Sequence, residues 1–232
     1  MNDKDKSPIQ EGQAWTVSVP TEIFNKVKGD AVFTSIVTLA RAVNALHFVQ
    51  TPLISAENDL SPRGRRDSYN SLLFTSALFA EVILLVDGMK KHFKGNAAFA
   101  KMAHITSSPE ATELRSANLK RVRNKLVFHF DMDEVRKQMK TLDLDNPVFV
   151  SAVGTKKLNT YHELADLTAL RVLYGSEFPK DLSKVKPLLI HIRELVISFL
   201  QAAEEFMVAL MIERGWTVTT AMPAEAAKPP SV

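Results

Sequence analysis

The sequence predicts an all-α protein, an up-and-down helical bundle carrying one small irregular or hairpin insertion. Apolar residues recur at three- and four-residue steps through most of the chain. Hydroxyl, proline and acidic residues stand together where helices should begin, and β-branched residues crowd only one short stretch, VFVSAVG at 148–154. The composition, 232 residues with 46% hydrophobic, 24% charged and no cysteine, is that of an ordinary soluble globular chain. That length buries a self-sufficient core without disulfides.

Residues 1–20 and 216–232 mix charge, proline and alanine without sustained period and are expected to be flexible ends. Between them, 21–215 reads as a single bundle with its insertion at about 141–180. The first helix spans about 21–50, with Phe33, Ile36, Val37, Ala40, Val43 and His47 as its stripe and Pro52 as its stop. Ser61-Pro62 supplies a cap and a first-turn proline for the second, with Gly64 able to delay the start. This helix runs to about Phe93 and is apolar nearly all round from Leu72 to Val86, which predicts a central position.

A short helix covers about 97–105. Ser107-Ser108-Pro109-Glu110 then opens a third long helix, to about His129 and onward toward Lys140. After the insertion, Thr160 and Glu163 form a capping box for a helix ending at Gly175. The last helix starts between Lys180 and Pro187 and ends at Gly215, with Leu188, Ile192, Leu195, Phe199, Ala203, Phe206 and Leu210 on one face.

The N-terminal charges have no apolar stretch behind them, so no secretory signal is expected and a cytoplasmic location is. The longest apolar run, Leu72 to Val86, is 15 residues and contains Glu81, short of the roughly 20 that a bilayer span takes. No membrane partner is expected. The six histidines form no His-x3-His pair and no H-E-x-x-H motif, so neither a metal nor a cofactor is expected. Phosphate loops of the G-x-G-x-x-G and G-x4-G-K-[ST] kinds are missing among the 8 glycines, and G-x-S-x-G does not occur.

Chemistry concentrates in LRSANLKRVRNKLVFHFDMDE, where Arg115, Lys120, Arg121, Arg123 and Lys125 fall within eleven residues free of acids. His129 follows, between Phe128 and Phe130. A solvated basic face with a core histidine is one reading of this pattern, and nucleic-acid binding is the other. The net charge of +3 decides neither.

The segment from Arg123 to His129 resembles the signature of the HEPN superfamily of helical-bundle ribonucleases: an arginine, a polar residue, here Asn124, and a histidine after four to six residues. Lys125 and Asp131 are similar to those of abortive-infection and toxin-type members. The resemblance implies a metal-independent endoribonuclease acting on RNA, such as tRNA or mRNA, in antiviral defence or a toxin–antitoxin pair. It further implies a homodimer with facing motifs and a partner antitoxin protein. Arg123 would stabilise the transition state and His129 would transfer protons. Arg115, Lys120, Arg121 and Lys125 would bind nucleic acid, with Arg63, Arg65 and Arg66 at the rim.

On an ideal helix six positions turn a side chain by about 600°, which leaves Arg123 and His129 about 120° apart. They therefore meet only by the reach of the guanidinium or across subunits. Glu81, alone in an apolar run, is expensive to bury unless paired, either with Arg41 or as an orienting group for Arg123 or His129. Asp131 either holds the His129 imidazole or is a plain helix-end acid. A second match, Arg41 to His47, has the same spacing but lacks the polar residue and the basic surroundings. The rival function is a non-catalytic bundle that binds a partner protein or nucleic acid.

Overall fold

The computed structural model describes residues 15–55, 59, 61–114, 131–144, 149, 161–174 and 185–221. It is mostly helical: β1 (Trp15–Ser18), α1 (Thr21–Val27), α2 (Ala31–Ser55), α3 (Pro62–Met89), α4 (Ala97–Thr106), α5 (Pro109–Leu114), α6 (Met132–Met139), α7 (Glu163–Tyr174), α8 (Val185–Glu213) and β2 (Val218–Ala221).

The first predicted helix is two helices. Gly29 interrupts it, and the Asp30 carboxylate accepts from the N–H groups of Val32 (2.8 Å) and Phe33 (2.9 Å), capping α2. Pro52 does not end α2, which continues to Ser55. The proline cannot donate to the Phe48 carbonyl. Around that gap the Thr51 hydroxyl donates to the His47 carbonyl (3.0 Å) and the Ser71 hydroxyl of α3 donates to that of Val49. The buried stripe is Phe33, Ile36, Leu39, Val43, Leu46 and Gln50, so Val37 and His47 belong to the outer side.

Ser61 caps α3 as its sequence predicts, accepting from the Gly64 N–H at 3.1 Å, with Pro62 in the first turn. Gly64 does not delay the start. It lies against Asp59, whose carbonyl a Cβ would strike. From Ser68 to Met89 most of α3 is buried, packed against α2, α4, α7 and α8. Rings hold this core together: Phe79 meets Phe199 edge-on at 5.5 Å, and Phe93, Phe99 and Phe206 form a trio with centroids 5.0–5.4 Å apart.

Ser108 caps α5 through the Ala111 N–H at 3.1 Å. The third helix does not run unbroken to Lys140, because Asp131 is extended (φ −73°, ψ 108°) and caps a new helix, α6. The hairpin expected at 148–154 and most of the insertion lie outside the described residues. α8 closes on Gly215 (φ 64°): the Gly215 N–H donates to Ile212 (2.9 Å) and the Trp216 N–H to Met211 (3.0 Å), the paired bonds of a Schellman motif.

Both flanks expected to be flexible contribute a strand. β1 and β2 pair antiparallel from Trp15↔Ala221 to Ser18↔Val218, and Phe33 packs edge-on against Trp216 at 5.4 Å beside them.

Three helical segments, Ala31–Pro52, Pro62–Met89 and Ile190–Glu213, are long and apolar enough to cross a membrane by length and composition. This finding overturns the expectation of a cytoplasmic protein with no membrane partner. That expectation rested on unbroken apolar runs, whereas a span of about 20 residues is judged by its mean, in which a few polar residues are outweighed by the apolar majority. The apolar windows of these segments are 28%, 56% and 44% buried.

Phe206→Ala would open the aromatic trio and is expected to cost about 3–5 kcal/mol of unfolding free energy. Phe48→Ala, at a position 79% exposed, should change it by less than about 0.5 kcal/mol. Urea unfolding of the two variants beside wild type checks the contrast.

Candidate functional site

The motif residues Arg123, Asn124 and His129, with Arg115, Lys120, Arg121 and Lys125, lie outside the described residues. Their flanks are described, and each is a capped helix start. On one side Ser108 begins α5. On the other, one carboxylate oxygen of Asp131 accepts from the N–H groups of Asp133 (3.0 Å) and Glu134 (2.9 Å). Asp131 thus caps a helix end, while its other offered role, toward His129, concerns a residue outside the described ones.

Glu81 corrects the sequence reading. It is not buried but exposed on the open side of α3, on a stripe with Phe74, Leu84 and Gly88. The run from Leu72 to Val86 is therefore covered on most sides but not all. Between this stripe and α2 lies a groove of about 400 Å³, lined by Thr38, Arg41 and Ala45 on α2 and by Leu78, Glu81 and Leu85 on α3. Arg41, the expected partner, and Glu81 thus share one groove.

The second motif match divides between two neighbours. Arg41 turns to the α2–α3 groove, while His47 Nε2 lies 2.7 Å from Glu204 Oε1 on α8, with both of those side chains about half exposed. Six helical positions separate the two directions, as the 120° offset requires. Arg41 and His47 do not make one site.

The arginine cluster expected at a nucleic-acid rim is matched by acids instead. Arg65 Nη1 lies 3.2 Å from Glu163 Oε1, Arg66 Nη2 lies 2.8 Å from Asp67 Oδ1, and Arg63 Nε lies 3.6 Å from Asp67 Oδ2. These contacts turn the first turns of α3 toward α7 and build a polar junction that the sequence did not announce. Asn70 Nδ2 donates to Asp166 Oδ2 (2.8 Å) and to the Arg66 carbonyl (3.0 Å). Tyr161, fully buried, and Glu163, also buried, complete it.

Burial pushes the Asp166 carboxyl up to about 6, against the pull of the Asn70 hydrogen bond, Arg66, His162 and Tyr161. Burial also drives the Tyr161 hydroxyl far above its usual range, and the Asp166 charge adds to it. The junction therefore holds one carboxyl that exchanges its proton near neutrality and one phenol that keeps its own. The expected helix after the insertion is present as α7 and starts at Glu163, with Thr160 outside the described residues, yet nothing local reveals that Asp166, one turn on, comes to rest beside α3. Among the described residues, no three His, Asp or Glu side chains are grouped as a metal site.

No family model matches the chain, and no curated protein or solved structure matches it either.

Asp166 yields a prediction about pH. Folded, it binds its proton more tightly than in the unfolded chain, where the ordinary value is 3.8. Its contribution to stability is therefore complete below about pH 4 and is lost as pH rises through about 6, on the order of 3 kcal/mol in all. Asp166→Asn keeps an oxygen for Asn70 and cannot ionise. Urea midpoints followed across this window should fall for wild type relative to the variant. Parallel curves would refute the assignment.

Proposed function

We propose that the chain is a metal-independent endoribonuclease of the HEPN type, acting on RNA in a toxin or phage-defence setting. The observation that carries the reading is the sequence Arg123-Asn124-Lys125-Leu126-Val127-Phe128-His129 at the end of the densest basic stretch in the chain. A mostly helical fold is compatible with it, and a HEPN-like arrangement of the bundle is part of the proposal.

The chemistry suits these residue types. Metal-free cleavage of RNA needs a base for the 2′-hydroxyl proton, an acid for the departing 5′-oxygen and positive charge on the phosphorane-like transition state. Histidine transfers protons near neutral pH. Arginine's planar fork matches phosphate oxygens and stabilises the charge that accumulates on them. One histidine does not act as base and acid at the same instant, so two facing copies make the site complete. Arg115, Lys120, Arg121 and Lys125 bind phosphates and hold the RNA in register. Arg63, Arg65 and Arg66 are left out of this interface because each faces a carboxylate.

Purified wild type should cut total RNA in the presence of EDTA, leaving 2′,3′-cyclic phosphate and 5′-hydroxyl ends. His129→Ala, verified as folded by circular dichroism, should be inert. Arg123→Ala should lose kcat with little change in KM, by about 10²-fold or more if the guanidinium acts on the transition state. A wild type that leaves RNA intact, or a His129→Ala that cuts as well as wild type, defeats the reading.

A further inference from the structure

Among the described helices, α6 packs chiefly on α7, and α7 chiefly on α3. The Thr168 hydroxyl of α7 donates to Met139 Sδ of α6 at 3.3 Å, and α6 turns Glu134 and Gln138 inward, joined by a hydrogen bond of 2.7 Å. The two helices thus hold each other, and the α3–α7 contact is their main attachment to the described bundle.

That attachment has an apolar and a polar part. Leu167 and Leu170 of α7 are fully buried in the core. Beside them, Asp166 Oδ2 takes the Asn70 amide of α3 at 2.8 Å, and the same nitrogen donates to the Arg66 carbonyl at 3.0 Å. Both hydrogens of that amide are then in use, so Asn70 has nothing further to offer a carboxylate. From α3, Arg65, Arg66, Asp67 and Tyr69 surround the junction. α7 itself contributes Tyr161, His162 and Glu163, and α6 contributes the buried Glu134. The Tyr161 phenol keeps its proton throughout the neutral range. A carboxylate formed inside this contact lacks most of its hydration and regains it when the helices part, so ionisation favours the parted state.

We propose that α6 and α7 form an arm that stays docked on α3 while Asp166 is protonated and swings away as its carboxylate forms. The motion is local. α2, α3, α4 and α8 keep their packing, which separates it from the loss of overall stability. The Asp131 cap of α6 stands two positions after His129, so the arm is next in the chain to the motif, but it exists whether or not that motif cleaves RNA.

Amide hydrogen exchange of the full chain, corrected for the intrinsic pH dependence of exchange, tests the arm. Amides of α6 and α7 should open together, ahead of those in α3 and α8. With an ordinary carboxyl at 3.8 in the parted state and about 6 in the docked one, their opening constant should rise about tenfold between about pH 5 and pH 8. Asp166→Asn should flatten the response. Asn70→Ala removes a donor from the carboxylate and should enlarge the response, which keeps the test decisive if Asp166→Asn misfolds. Histidine also exchanges a proton in this range, so His162→Asn is the control and should respond like wild type. The proposal is overturned if α6 and α7 exchange only together with α3 and α8, if α7 opens without α6, or if opening does not change with pH. An Asp166→Asn variant that responds like wild type, or a response lost in His162→Asn, overturns it as well.

Discussion

Burial of α3 is the constraint on which the remaining structure depends. A helix that is apolar around most of its circumference has no stable place on a surface. It must be enclosed, and each large side chain removed from water contributes about 1.5–3 kcal/mol toward that. α2, α4, α7 and α8 supply the enclosure. Phe79 locks onto Phe199 and the Phe93–Phe99–Phe206 trio seals the far end of α3 to α4 and α8. Phe74, Glu81 and Leu84 stay exposed on the side of α3 that these helices leave.

The two ends of α3 are handled differently. Toward Met89 the contacts are between rings, while the first turns bring Arg65, Arg66 and Asn70 against the start of α7, where Glu163 and Asp166 lie. A carboxylate placed beside a buried phenol is costly unless it is hydrogen-bonded or protonated. The junction uses both remedies: Glu163 faces a guanidinium, and Asp166 takes an amide donor and a raised proton affinity. The basic first turns of α3 that the sequence offers to a polyanion are thus partly committed to the protein's own acids.

What was legible in the sequence is what local chemistry dictates. The caps at Ser61 and Ser108 and the Gly215 stop are decided by groups within a few residues of one another, and they stand where the pattern places them. The enclosure of α3 is legible as well, since a helix apolar on most sides is taken up by other helices or by lipid, and here α2, α4, α7 and α8 pack on it. The rest depends on distant partners. The buried stripe of α2 is rotated from its expected position because α3 and α8 choose which side they cover. Asp30 reads as one polar residue inside a long period until its carboxylate is seen to take two backbone N–H groups. Glu81 reads as a buried acid because a sequence run does not show which of its sides is left uncovered. Strands of four residues, with partners some two hundred positions away in sequence, leave no local trace at all. For the candidate site the sequence contributes the motif itself, whereas the Asp166 junction comes from the fold alone.

The pairing of β1 with β2 makes the described chain a closed loop. Trp15 stands opposite Ala221, so the path that leaves β1 and reaches β2 through α8 returns to the place where it began. A short linker would join these two points without moving a helix, and new ends opened in a surface connection would leave the bundle's contacts intact. The same register determines how the molecule yields when pulled by its ends. Force applied beyond Trp15 and Ala221 opens the ladder one pair at a time, as a zipper, rather than shearing all four pairs together. The strands therefore act as a weak latch in front of α2 and α8, released before any ring in the core is disturbed.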